Sequence, residues 1–173
     1  SVAFNPSGDM LLSVGMDNNN QHSLWKDAGG QWSRVQAVAS EKGDQNAVMF
    51  SKWIRDDAGG GFVTGGGKAI NFWQIDGATI KKKPGRFGKQ KAQKSILCAA
   101  NFNTKDGRKI VAGTSAGDLI FFNTNTISPV REAVNLIEKG HDQAVLSLAE
   151  GNECDCTFLI SGGQDGVIKI WNK

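Results

Sequence analysis

The chain has 173 residues, of which 39% are hydrophobic and 21% are charged, and this composition excludes a disordered polypeptide. A formal net charge of +3 is too small on its own to indicate a nucleic-acid-binding protein. No apolar run approaches the roughly 20 residues that a membrane-spanning helix needs, and no signal peptide is visible, so no membrane association is expected.

The elements along the chain repeat four times. Each unit contains a short strand that closes on an aromatic residue, and these aromatics are Trp25, Trp73, Phe122 and Trp171. They are spaced 48 or 49 residues apart, which is a regular internal period. Apolar runs of a few residues between Gly, Asn and Asp predict strands and turns, and even residues 132–138 fit a strand better than a helical turn.

The other strands of each unit recur with the same period. A second strand of large apolar residues followed by small ones is predicted at 11–15, 62–66, 110–114 and 159–163. Innermost strands are predicted at 1–4, 47–50, 96–102 and 144–148. The units therefore span approximately 1–39, 46–83, 95–137 and 142–173.

The last unit carries a complete polar signature. Gly140 and His141 open it, and the remaining polar residues of the signature are Ser161, Asp165 and Trp171. These residues resemble the WD-repeat family, in which indole, hydroxyl, imidazole and carboxylate form a buried hydrogen-bonded chain. The resemblance implies a structural role for His141 and Asp165, which might otherwise suggest a catalytic dyad.

The earlier units are degraded copies of this signature. Ala116 occupies the position of Asp165, Phe122 occupies that of Trp171, and the second unit lacks a Gly-His opening. Together the repeats predict an all-β protein, a WD-repeat β-propeller segment of about four consecutive four-stranded antiparallel blades. The last blade lacks its outer strand.

A stack of this kind leaves an apolar face open at each end. We expect the first and last blades to be covered by the remainder of the same propeller or by a second copy. The abrupt strand-like ends of the sequence indicate a piece of a longer polypeptide.

One segment carries the basic character of the chain. Seven basic residues and no acid occur in what is predicted to be a loop: Lys81, Lys82, Lys83, Arg86, Lys89, Lys91 and Lys94. Two interpretations of this segment stay open: a solvated loop without a binding role, and a loop that binds a partner. RNA is disfavoured because Phe87 is the only aromatic residue that could stack on a base.

Other motifs do not support catalysis, a metal or a cofactor. Lys68 follows three glycines, but the first glycine and the hydroxyl residue of a phosphate-binding loop are missing. Cys154 and Cys156 are too close together for a usual zinc pair, and three cysteines favour a reducing compartment over a disulfide framework. No nucleophile elbow is present, so the chain is expected not to be an enzyme.

The second and third repeats also resemble a more specific family. The resemblance rests on the glycine-lysine turn at 65–68, the basic segment leading into Leu97 and Cys98, and the polar insert at 17–22. These features are similar to the echinoderm microtubule-associated protein-like family. The resemblance implies a cytoplasmic, cytoskeletal propeller that binds tubulin and supports microtubule organisation; the alternative is a generic WD-repeat scaffold for other protein complexes.

Overall fold

The computed structural model describes residues 1–55, 60–88, 94–105, 107–124, 131–153 and 156–172. Fifteen strands and no helix occur in these ranges. The all-β prediction is therefore confirmed, and residues 131–137 form a strand as expected. The described residues contain no helix that is long and apolar enough to cross a membrane.

The strands form four consecutive antiparallel sheets. The first sheet contains β1 Val2–Phe4, β2 Met10–Val14, β3 His22–Asp27 and β4 Val35–Glu41. The second contains β5 Val48–Ile54, β6 Gly61–Gly66, β7 Ala69–Asp76 and β8 Thr79–Arg86. The third contains β9 Ile96–Thr104, β10 Gly107–Thr114, β11 Leu119–Asn123 and β12 Arg131–Ile137. The fourth contains β13 Val145–Glu153, β14 Cys156–Gly163 and β15 Ile168–Trp171.

Each sheet is a meander in which neighbouring strands pair in chain order. The second and third sheets also touch at their outer strands, where Gly85 and Arg86 pair in parallel with Arg131 and Glu132. The fourth sheet has three strands within the described residues, in keeping with the prediction of a blade without its outer strand.

Three apolar clusters lie between successive sheets. The cluster between the first and second sheets contains Leu12, Leu24, Phe62 and Trp73. A second cluster joins the second and third sheets, and a third joins the third and fourth. Because every cluster takes residues from two neighbouring sheets, the sheets stack face to face as propeller blades, and they do not close a ring.

Two details of the prediction were wrong. The segment from Lys81 to Arg86 is not a loop, because it forms most of the outer strand β8 and pairs with β7. Some inner strands are also longer than expected: that of the fourth sheet reaches Glu153, and that of the second sheet continues to Trp53 and Ile54. The side chains of Trp53 and Ile54 are buried in the inter-sheet clusters, which accounts for the extension in the second sheet.

Candidate functional site

The polar signature of the fourth sheet is a continuous hydrogen-bonded chain. The indole N–H of Trp171 donates to Ser161 Oγ at 2.8 Å, and Ser161 Oγ lies 2.7 Å from His141 Nε2. The other ring nitrogen of His141, Nδ1, lies 3.0 Å from Asp165 Oδ2. His141 and Ser161 are completely buried, so the chain satisfies polar groups that water cannot reach.

Asp165 completes the chain at the turn that joins β14 and β15. Burial raises the pKa of Asp165, but the backbone N–H of Val167, the imidazole of His141 and the backbone N–H of Asp142 outweigh it, so the pKa lies below its usual value. Gly163 allows this approach, since a Cβ there would lie 2.3 Å from both His141 Nδ1 and Asp165 Oδ1. The carboxylate is fully engaged by structural donors, and this arrangement holds the turn against the sheet.

In each of the other sheets, the hydrogen-bonded pair of indole and hydroxyl is either present or absent as a whole. Trp25 donates to Ser13 Oγ at 2.8 Å, and Trp73 donates to Thr64 Oγ1 at 2.9 Å. In the third sheet the corresponding residues are Phe122 and Ala112, both fully buried. A buried indole N–H without an acceptor would cost free energy, so removing both partners leaves the third sheet without an unsatisfied group.

A second polar cluster braces the first and second sheets and was missed by sequence reasoning. His22 of β3 inserts between these sheets, with Nε2 3.4 Å from Thr64 Oγ1 and its ring centroid 4.3 Å from that of Trp73. It therefore takes the place of the histidine that the second repeat lacks. At the opening of that repeat, Asp44 occupies the position that corresponds to His141. Asp44 precedes Thr64 by twenty residues, and His141 precedes Ser161 by the same number.

Asp44 joins two strands, β7 and β8, through its carboxylate. Its Oδ2 accepts from Asn71 at 2.6 Å, and its Oδ1 lies 2.6 Å from Lys82 Nζ. Burial raises the pKa of Asp44, but the hydrogen bonds from Lys82 and Asn71 and the charge of Lys82 bring it below its usual value. The Gly43-Asp44 pair, which matches Gly140-His141 in its first residue, was the one sequence signal of this site.

Two cations of the basic segment pair with acids that are half-buried or buried, and the other cations that the structure describes do not. Lys82 pairs with Asp44, and Lys94 pairs with the buried Asp118 at 2.8 Å. Lys81 makes only an exposed pair with Asp76, and Lys83 donates to Gln74. Arg86 is exposed on the same outer strand, and Lys89 and Lys91 lie outside the described residues.

A cleft of about 420 Å³ lies between the third and fourth sheets. Phe102, Phe121, Leu159 and Trp171 form its apolar walls, and Lys105 and Lys109 line it as well. Between the first and second sheets, Ile80 of the outer strand β8 belongs to the apolar cluster that contains Trp73. The cleft therefore corresponds to the space that an outer strand fills in another blade.

The described residues offer no constellation for metal binding. No group of three or more His, Cys, Asp or Glu side chains comes together within them. Cys98 is buried, burial raises the pKa of its thiol to about 12, and the thiol donates to Val145 O. Cys154 lies outside the described residues, as does the side chain of Cys156.

The hydrogen-bonded chain of the fourth sheet can be tested by one substitution. Replacing Ser161 with Ala should lower the free energy of unfolding by about 2 kcal/mol, because the half-buried Trp171 N–H and the buried His141 Nε2 both lose their partner. Urea unfolding of the full-length protein would measure this. Ser23→Ala is the control, since Ser23 makes an exposed contact to Ser40 and should change stability by less than about 0.5 kcal/mol. Equal effects of the two substitutions would contradict the role of Ser161.

Comparison with known proteins supports the repeat assignment and the wider resemblance. Residues 134–172 match the family described as "WD domain, G-beta repeat". The mouse protein Echinoderm microtubule-associated protein-like 2 is 27% identical over 174 residues, covering 99% of this chain and 24% of the relative. The human protein Echinoderm microtubule-associated protein-like 1 is 26% identical over 173 residues, covering 99% of this chain and 19% of the relative. Echinoderm microtubule-associated protein-like 4 of Xenopus laevis is 29% identical over 172 residues, covering 93% of this chain and 17% of the relative.

These comparisons confirm the predicted resemblance to the echinoderm microtubule-associated protein-like family over nearly the whole chain. The chain spans about a quarter or less of the length of these relatives. At the level that the repeats establish, it is a WD-repeat scaffold for protein interactions.

Proposed function

We propose that this chain is a non-catalytic propeller segment of a microtubule-associated protein and that it contacts tubulin in the cytoplasm, on the cytoskeleton. The observation that carries the proposal is the similarity to relatives named as microtubule-associated proteins over 99% of the chain. Binding through the surface of stacked sheets fits the fold, since the buried polar residues serve the packing of the blades.

The outer strand of the second sheet provides the candidate contact. Its basic surface consists of the exposed Lys81 and Arg86 and the half-buried Lys83, and we call these three residues the β8 basic surface. Tubulin has disordered acidic tails, and clustered cations attract such polyanions through a field that salt weakens. Lys82 and Lys94 contribute less to this field because Asp44 and Asp118 neutralise them.

A second candidate function is a generic scaffold that assembles other proteins, and it is favoured by the ion pairs that neutralise cations of the basic segment. A segment with seven cations and no acid looks strongly basic in the sequence, yet Asp44, Asp76 and Asp118 supply negative charge from other strands and turns. The local field is weaker than the sequence indicates, so microtubule binding needs a direct test.

Co-sedimentation of the full-length protein with stabilised microtubules separates the two functions. Changing Lys81, Lys83 and Arg86 to Ser should weaken binding about five- to twentyfold, because each lost contact contributes up to about 1 kcal/mol. The control changes Lys26, Lys42 and Lys52 to Ser, which removes the same charge from exposed positions elsewhere. Added salt should reduce binding by the unchanged protein.

Two results would contradict the proposal at different levels. Equal pelleting of the two triple variants would show that the β8 basic surface is not the contact. Absence of pelleting by the unchanged full-length protein would remove microtubules from the account and leave the generic scaffold.

The open faces at the two ends of the stack call for partners of a different kind. Phe4 of the first sheet is 57% exposed, and Ile168 and Ile170 of the fourth are 74% and 66% exposed. At the internal interfaces the residues that correspond to Ile168 and Ile170 in the third sheet, Leu119 and Phe121, are buried. Further blades of the same propeller or a second copy would cover these faces.

A further inference from the structure

His22 differs from the other buried histidine in how its ring is satisfied. Its Nε2 is 3.4 Å from Thr64 Oγ1, and that oxygen already accepts the indole N–H of Trp73. Its Nδ1 is buried and makes no hydrogen bond of good geometry, although the backbone oxygen of Asn20 acts on the ring as a weak acceptor. The ring is 1% exposed and packs against Trp73 and Phe62, so bulk solvent does not reach it.

Gly43 closes the pocket around His22 Nδ1. A Cβ at this glycine would lie 2.5 Å from Cε1 and 2.9 Å from Nδ1 of His22. The backbone oxygen of Asn20 lies on the same side, 2.6 Å from the same Cβ position. The imidazole is thus held between two sheets by close packing and by one long hydrogen bond.

The charged groups around the ring are turned to other partners. Asp44 binds Asn71 and Lys82, and Asp17 accepts backbone N–H groups of its own turn. Glu41, opposite His22 in the neighbouring strand, accepts the backbone N–H of Lys42. With no carboxylate bound to the ring, burial lowers the pKa of His22 to about 4, against a weaker opposing effect of the Asn20 backbone and of Asp44.

A proton on His22 would leave the ring with two N–H donors and no acceptor. The contact with Thr64 would then have to run from ring to hydroxyl, and a charged N–H at Nδ1 would be buried beside Gly43. His141 is different, because Asp165 Oδ2 lies 3.0 Å from its Nδ1. The ring of His22 makes no such contact with a carboxylate.

We propose that the packing of His22 against Thr64 and Trp73 is an acid-sensitive latch between the first and second sheets, closed while the imidazole is neutral and released when it is protonated. A folded-state pKa below the ordinary 6.5 means that the open state binds the proton more readily than the closed state. The latch is therefore at full strength above pH 6.5, and it weakens as the pH falls from 6.5 towards 4. This inference does not depend on the microtubule proposal.

Hydrogen–deuterium exchange of the full-length protein at pH 7 and pH 5 tests the latch. After correction for the intrinsic pH dependence of exchange, protection of residues 61–76 should be about twentyfold lower at pH 5 than at pH 7. This factor follows from a His22 pKa of 6.5 in the open state and of about 4 in the closed state. Protection of residues 159–171, around His141, should change by less than about threefold and serves as the internal reference.

His22→Phe is the decisive variant, since it keeps the ring stacking and cannot titrate. Its protection over residues 61–76 should no longer depend on pH in this range. His22→Asn, which can still bond Thr64 and does not titrate, should behave in the same way and replaces the first variant if that one does not fold. An unchanged protection of residues 61–76 in the natural protein, or an equal acid response in the non-titrating variants, would overturn the proposal.

Discussion

Replacing Trp73 with Ala should lower the free energy of unfolding by about 3–5 kcal/mol. The indole is 1% exposed, stacks on Phe62 with centroids 5.7 Å apart, and contacts His22 of the neighbouring sheet. Its loss would leave a cavity between the first and second sheets and would also take away the donor to Thr64. Urea unfolding of the full-length protein, followed by far-ultraviolet circular dichroism, would measure the change.

Trp32→Ala is the matched control because it removes the same atoms from a different environment. Trp32 lies in the turn before β4, contacts Phe4 edge-on at 5.0 Å and donates to Gly8 O in an exposed bond. Its replacement should cost about 1 kcal/mol or less. If both substitutions destabilise the protein equally, the indole of Trp73 does not hold the two sheets together.

Gly117→Ala should be the most damaging change at the seam between the third and fourth sheets, with an expected loss of at least about 3 kcal/mol. A Cβ at this position would lie 2.0 Å from the carbonyl oxygen of His141 and 2.8 Å from that of Gln143. The residue also has a φ of +88°, which alanine adopts at a cost of about 1–2 kcal/mol. Backbone atoms of the fourth repeat would have to move, and the bond from His141 N–H to Gly117 O would weaken.

Gly166→Ala separates the clash from the dihedral strain. Gly166 has a φ of +77°, and a Cβ there would meet no atom within 4 Å. This substitution should therefore cost only about 1–2 kcal/mol, the strain alone. Thermal unfolding of the two variants side by side would reveal the difference, and equal melting temperatures would contradict the close approach of the two sheets at Gly117.

Strand order and the stacking of sheets follow from the sequence because both depend on local patterns. Aromatic residues at a period of 48 or 49 and the apolar runs between them define the blades without any knowledge of distant contacts. The bonds among His141, Ser161 and Trp171 lie within one repeat, so a single copy of the motif is enough to expect them.

The contacts between repeats are what the sequence could not show. His22 reaches Thr64 42 residues later, and this pairing depends on how far the first sheet is rotated over the second. Lys82 finds Asp44 across 38 residues, and Lys94 finds Asp118 across 24. A charge count within the segment 81–94 includes its cations but not the acids from other segments that pair with them. The segment therefore has a higher net charge in the sequence than its described part has in the structure.

These inter-sheet contacts also bear on function. His141 and Asp165 could suggest a catalytic pair, but they bond to each other, and Asp165 also accepts two backbone N–H groups. We propose that partners bind the outer strand with its β8 basic surface and the apolar faces at the two ends of the stack. A scaffold that binds through its edges and surfaces is the function that this division supports.

Face-to-face stacking of the four sheets is tested most directly by a cryo-electron microscopy structure of the full-length protein with side chains visible. The density should place the indole of Trp73 against His22 between the first and second sheets, and the indole of Trp171 against the third sheet. Density in which the four sheets join edge to edge as one continuous sheet, with these two indoles facing solvent, would contradict the account and the binding surfaces derived from it.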